Sequence, residues 1–117
     1  MGRTSQRKGA GGERELAALL RGYGYNIERG GSCSFGKAPD IYGLPGVHAE
    51  IKRVERLNVP EAMSQAVRDS EKFNDGTPVL FHRRNRGEWL CTMRLSDWMS
   101  LYLAAERQKT AESGKEV

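Results

Sequence analysis

The chain has 117 residues, about the length of one domain, so a single modest core must carry every function. Hydrophobic residues make up 38% and charged residues 29%, too polar for a membrane protein, and no apolar run approaches the roughly 20 residues that a spanning helix needs. The net charge of +4 is gathered in Arg3/Arg7/Lys8, Lys52/Arg53/Arg56 and Arg83/Arg84/Arg86, clusters that suit a phosphate backbone as partner.

In chain order, the opening MGRTSQRKGAGG has no apolar signal core and no hydrophobic period, and reads as a flexible basic arm over 1–12 of a cytoplasmic protein. Leu16, Ala17, Leu20 and Tyr23 recur at helical spacing and predict a helix over 13–23, stopped by Gly22 and Gly24. Residues 25–29 alternate as a strand, and a Gly-rich loop over 30–37 breaks it. Asp40–Leu44 and Val47–Val54 are two further strands joined by Pro45-Gly46, hence an expected hairpin. Pro60 opens a helix through Met63, Ala66 and Val67 towards Phe73, with Asp75-Gly76 as its stop. Val79–Arg83 and Trp89–Met93 are short strands around a turn at 84–87. Ser96 caps a last helix containing Trp98, Met99, Leu101 and Tyr102, and the polar tail over 107–117 is expected to fray. The order α-β-β-β-α-β-β-α predicts one α/β domain over 13–106, a central mixed five-stranded sheet flanked by helices. Cys33 and Cys91 fit neither a zinc pattern nor a disulfide framework and are read as reduced.

The chemistry is concentrated in Pro39-Asp40 and Glu50-Ile51-Lys52. Strand side chains two apart share a face, so Glu50 and Lys52 point the same way, roughly 6.5–7 Å apart along the backbone. The Pro45-Gly46 turn brings Asp40 back beside them. Two acids and a backbone carbonyl, here that of Ile51, suit Mg²⁺, which keeps several waters, and Mn²⁺ is expected to substitute. A metal so held acidifies water and neutralises a scissile phosphate, while lysine positions the nucleophile. Asp40 and Glu50 are therefore assigned as ligands and Lys52 as the orienter. Glu13 precedes Leu16 and Ala17 by three and four residues, on the inward face of the first helix, where a carboxylate needs a cation. Gln65 edges the apolar stripe of the second helix, within reach of a ligand carboxylate or a metal-bound water.

With Arg7-Lys8-Gly9-Ala10-Gly11-Gly12-Glu13-Arg14-Glu15-Leu16, then Gly31-Ser32, Asp40 and Glu50-x-Lys52, the chain resembles the archaeal Holliday junction resolvases, a branch of the PD-(D/E)XK nucleases, over about residues 7–95. The resemblance implies a restriction-endonuclease-like fold, a homodimer, and Mg²⁺-dependent paired nicks in four-way DNA junctions during recombination and repair. It also implies roles for Glu13, Asp40, Glu50 and Lys52, with Ser32 near the cleaved strand and Arg7 and Lys8 on backbone phosphates. The loop departs from the family at Cys33–Pro39, and Ser34 aligns as well as Ser32. Arg53, Arg83 and Arg84 are assigned to the phosphate backbone by their clustering.

Blander readings stand beside these. Acids and lysines on a strand face are commonly solvated surface, and Glu13 alone suits the first turn of a helix. His48 and His82 read as structural or solvent-facing, and Trp89, Trp98 and Tyr102 as core or dimer interface. Gly9, Gly11 and Gly12 form no Walker motif, having no strand before them and no GK[ST] after. Three rival functions share the motifs: a nuclease acting on flaps or duplex ends, a non-catalytic DNA-binding module, and an RNA-processing nuclease.

Overall fold

The computed structural model describes residues 2–30 and 38–115, with side chains over 11–30 and 38–112. Its elements are α1 (Gly2–Gly22), β1 (Glu28–Arg29), β2 (Ile41–Tyr42), β3 (Val47–Arg53), α2 (Val59–Phe73), β4 (Thr77–Arg83), β5 (Leu90–Thr92) and α3 (Leu95–Lys115). The order of elements is the expected one, and the fold is a small α+β fold.

The expected five-stranded sheet and its central hairpin are not formed. β1 and β2 make an antiparallel pair, while β3, β4 and β5 make a separate mixed sheet in which β3 runs parallel to β4 and β5 antiparallel to it. The physical reason lies at the free edge of β3. There the Ile51 N–H donates to the Asp40 carboxylate at 3.0 Å, so a side chain meets that edge where a hairpin partner would have offered a carbonyl.

α1 begins eleven residues before the expected start, and the stretch read as a flexible arm is helical backbone from Gly2. Once Leu16 and Ala17 dock, each residue added towards the N-terminus extends an existing nucleus, and glycines weaken such an extension without ending it. Gly12 is buried, and a Cβ there would sit 3.0 Å from Arg53 Cβ. The residue is therefore a close-packing point between α1 and β3 as well as a weak helix former. The tail expected to fray is helical to Lys115, and α3 starts at Leu95, before Ser96. Arg94 makes the start, its carbonyl accepting from Trp98 N at 3.0 Å and its side chain pairing with Asp97 at 2.9 Å. α2 starts as expected: Asn58 caps it by accepting from Glu61 N, Pro60 lies in the first turn, and Asn74 ends it in the left-handed region at φ 48.

One core lies between α1 and the sheet, built from Leu16, Ala17, Ile27, Ile41, Ala49, Ile51, Val79 and Phe81. The alternate residues of the two parallel strands, His48, Glu50 and Leu80, face the opposite way, and α2 covers that side with Ala62, Ala66 and Ser70. Gly76, just before β4, sits at φ +131 hard against Gly46, and Thr77 N donates to the Gly46 carbonyl at 2.9 Å. That contact fixes the register in which Glu50 lies opposite Leu80.

Glu15 ties the helix to the far strands. Its carboxylate faces Arg53 at 3.3 Å, pairs with Arg83, and accepts from Trp89 Nε1 at 2.9 Å. Replacing it leaves two half-buried guanidinium groups without their counter-charge and an indole N–H without its acceptor. Glu15→Ala is expected to lower unfolding stability by about 2 kcal/mol, whereas Arg84→Ala, at an exposed turn, stays within about 0.5 kcal/mol. Urea unfolding midpoints measure both.

Candidate active site

Four of the residues singled out in the sequence converge beside the free edge of β3. Glu50, in mid-strand, is only 5% exposed. Lys52 follows on the same face, its ammonium 3.8 Å from Glu50 Oε1. Asp40 arrives from the loop before β2, placed by Gly30: a Cβ there would overlap the Pro39 carbonyl, and Gly30 N donates to the Asp40 carbonyl at 3.0 Å. Glu13 approaches from α1. The cation that its inward position demanded is Arg29 of β1, 3.3 Å away.

Asp40 is placed against its electrostatic preference. Burial pushes the Asp40 carboxyl up from an ordinary 3.8 to about 7, and the charges of Glu50 and Glu13 push the same way. The Ile51 N–H and Lys52 oppose the rise without cancelling it. Asp40 and Glu50 offer oxygens to a hard dication, whose charge would relieve the repulsion, while Glu13 is paired with Arg29 and does not bring its carboxylate into one tight ligand cluster with them.

His48 forms the other flank. It is 1% exposed, its Nδ1 sits 2.8 Å from Asp75 Oδ2, and its Nε2 is 3.6 Å from Glu50 Oε2. Burial disfavours its charged form, but the carboxylates of Glu50 and Asp75 outweigh that penalty and raise it from 6.5 to about 9. With no metal bound, His48 is thus the internal cation that offsets buried Glu50. Burial pushes the His82 imidazole down from its ordinary pKa, and its Nε2 meets Thr92 Oγ1 at 2.8 Å.

Other sequence-based assignments fall differently. Ser32 and Ser34 lie outside the described residues, as do the side chains of Arg7 and Lys8. Gln65 is half-buried on α2 and makes no hydrogen bond among the described residues. Arg53 and Arg83, read as phosphate contacts, are engaged by Glu15, and Arg83 also donates to the Gly87 carbonyl at 2.6 Å. Arg84 is exposed. Trp89 packs against the core, and Trp98 and Tyr102 stack on each other at 5.2 Å with both side chains exposed. A cleft of about 560 Å³ opens beyond Lys52 between the ends of β3 and β4, lined by Leu57, His82, Arg84 and Leu90 among others, and it does not include the carboxylates.

Sequence reasoning missed Asp69, whose carboxylate comes within 4.8 Å of ligand atoms of both His48 and Glu50. The signal was present. Asp69 follows Ala62 by seven residues and Ala66 by three, which puts an acid on the buried face of α2. No family model matches the chain, and no curated protein matches it. Among the described residues no helix is long and apolar enough to cross a membrane.

Asp40 and His48 give the protein without metal a characteristic dependence on pH. Both have folded-state pKa values above their ordinary ones, so each stabilises the fold while protonated and loses that contribution as pH rises. For Asp40 the loss spans 3.8 to about 7, and for His48 it spans 6.5 to about 9. In EDTA, the stability difference between wild type and His48→Gln, from urea unfolding, should therefore shrink across the upper window. The corresponding difference for Asp40→Asn should change only across the lower one. Parallel curves would contradict this account.

Proposed function

We propose that the chain is a Mg²⁺-dependent, structure-selective endonuclease of the PD-(D/E)XK type that nicks branched DNA, with four-way junctions as the substrate its motifs favour. The observation that carries this reading is the Asp40 carboxylate held on the Ile51 N–H beside buried Glu50, its acidity suppressed by burial and neighbouring charge, with Lys52 on the same face. Glu13, Asp40, Glu50 and the Ile51 carbonyl would hold the ion, with Mn²⁺ as a substitute. Once bound, the ion supplies charge neutralisation at the phosphate and a more acidic water. Lys52 lies on the Glu50 side, where an ammonium orients the attacking water and offsets charge developing on the phosphate. A binding module without catalysis gains nothing from three acids placed where phosphates must approach.

Two further features support the reading. Arg84 lines the cleft beyond Lys52, with exposed Arg86 in the same turn, so a backbone could cross both. α3 supplies a surface for the homodimer that paired nicks require: Leu95, Trp98 and Tyr102 recur at spacings of three and four, and all are exposed along with Leu101. A two-fold axis through such a stripe would present two sites to a two-fold substrate.

The deciding assay incubates the protein with a labelled four-way junction, a flap and a linear duplex, in Mg²⁺ or EDTA. Asp40→Asn is expected to lose at least about 100-fold in cleavage while retaining junction binding. Cutting of flap or duplex in preference to the junction would keep the nuclease and discard the junction specificity. No cutting of any substrate by folded wild type would favour the binding module. In a separate test of the dimer, Trp98→Glu is expected to convert the species seen by sedimentation equilibrium from dimer to monomer with the helical content of 13–93 unchanged.

A further inference from the structure

A second cluster of ligand atoms lies on the α2 side of Glu50, across that carboxylate from Lys52. A His48 ring nitrogen, a Glu50 oxygen and an Asp69 oxygen all fall within 4.8 Å of one another, on two elements, β3 and α2, whose packing is fixed by Ala62 and Ala66. Three observations set this cluster apart from a chance gathering of acids. His48 is 1% exposed, and its Nε2 has no hydrogen-bond partner, so a fully buried polar atom faces the Glu50 carboxylate without being satisfied by it. The 3.6 Å from Nε2 to Glu50 Oε2 is too long for a hydrogen bond. It is close to the ~3.4 Å that separates two donors sharing one tetrahedral ion at ~2.0–2.1 Å bond lengths. Finally, both oxygens of Asp75 lie on Nδ1, at 2.9 and 2.8 Å, which keeps the Nδ1 proton directed at Asp75 and leaves Nε2 as the nitrogen that would give up its proton to a bound ion. A carboxylate behind a ligating imidazole is the arrangement that orients histidine on zinc. Phe73 stacks on the ring, 6.2 Å between centroids, and restrains its rotation.

We propose that His48 Nε2, Glu50 and Asp69 form a binding site for a borderline divalent transition ion, Zn²⁺ being its representative, with Asp75 as the positioning residue behind His48. The mixed nitrogen and oxygen donors select against Mg²⁺, which takes oxygen ligands and holds its waters. Three protein ligands leave a fourth position open. The site does not depend on the nuclease reading and shares only Glu50 with it. Glu50 Oε1 faces Lys52 while Oε2 faces His48, so one carboxylate can serve both flanks.

The test is Zn²⁺ binding by the full-length chain after EDTA treatment and its removal, followed by calorimetry and by competition with a chromophoric chelator. Wild type is expected to bind one Zn²⁺ in preference to Mg²⁺. Asp69→Asn should weaken that binding at least about 10-fold, and Asp75→Asn by about 10-fold or more, while Asp40→Asn leaves it within about two-fold. The histidine is read directly: Zn²⁺ should shift the His48 Nε2 resonance in the ¹⁵N spectrum of imidazole-labelled protein, and Mg²⁺ should not. Zn²⁺ binding that survives Asp69→Asn, that is lost with Asp40→Asn, or that leaves the Nε2 resonance unmoved would overturn the proposal, as would no binding by folded wild type. Since cleavage is assayed in Mg²⁺ with Asp40→Asn, the nuclease reading and this site can fail independently.

Discussion

A carboxylate buried in the middle of a strand is the constraint around which this small fold is arranged. Glu50 cannot be left alone at 5% exposure, because an unpaired charge inside a protein costs several kcal/mol even after relaxation. Its compensation comes from two cations, one of them held in place by a third residue. His48 lies two residues before it, Lys52 two residues after, and Asp75 holds His48 from the loop that joins α2 to β4. The Asp75 contact also anchors that loop, and the Gly46–Gly76 contact beside it sets the register of the parallel strands. Charge compensation and chain topology are therefore coupled, since the His48–Asp75 contact that steadies the cation beside Glu50 also ties the crossover to β3.

The sequence disclosed those parts of the fold that depend on neighbours close in the chain. Strand parity put Glu50 and Lys52 on one face, Pro60 marked the start of α2, and the phase of Leu16 and Ala17 turned Glu13 inward. Each of these follows from a period of two or of 3.6. Features decided by distant partners were not legible. Asp40 reaches across eleven positions to the Ile51 N–H and replaces a ladder, a substitution of side chain for backbone that no local pattern announces. Arg53 and Arg83 are a basic cluster in the sequence, but a single acid on α1, Glu15, engages both. Gly9, Gly11 and Gly12 argued against a helix that tertiary docking of Leu16 nonetheless propagates. Asp69 was legible and overlooked: the buried phase was read for apolar residues, although it is more telling when an acid occupies it.

The absence of any matching family leaves the functional reading on geometry and on the order of its motifs. Asp40, from the loop before β2, lies beside Glu50 of β3, and the charges of Glu50 and of Glu13 on α1 add to the burial that raises its pKa. Gly30 and the Ile51 N–H hold the Asp40 segment in that place. An acid shifted in this way is a mark shared by functional sites and by structural ion networks.

The last helix has the opposite character. Every residue of α3 from Ser100 to Glu112 is exposed, so this stretch buries nothing that would stabilise it within one chain. A helix without tertiary contacts is marginal in water and depends on neighbours for its persistence. If the stripe of Leu95, Trp98 and Tyr102 finds its counterpart on a second chain, secondary structure here obeys mass action: dilution would unwind the end of α3 well before it disturbed β3 or α2. The concentration of the protein in the cell would then decide how much of its own chain is ordered.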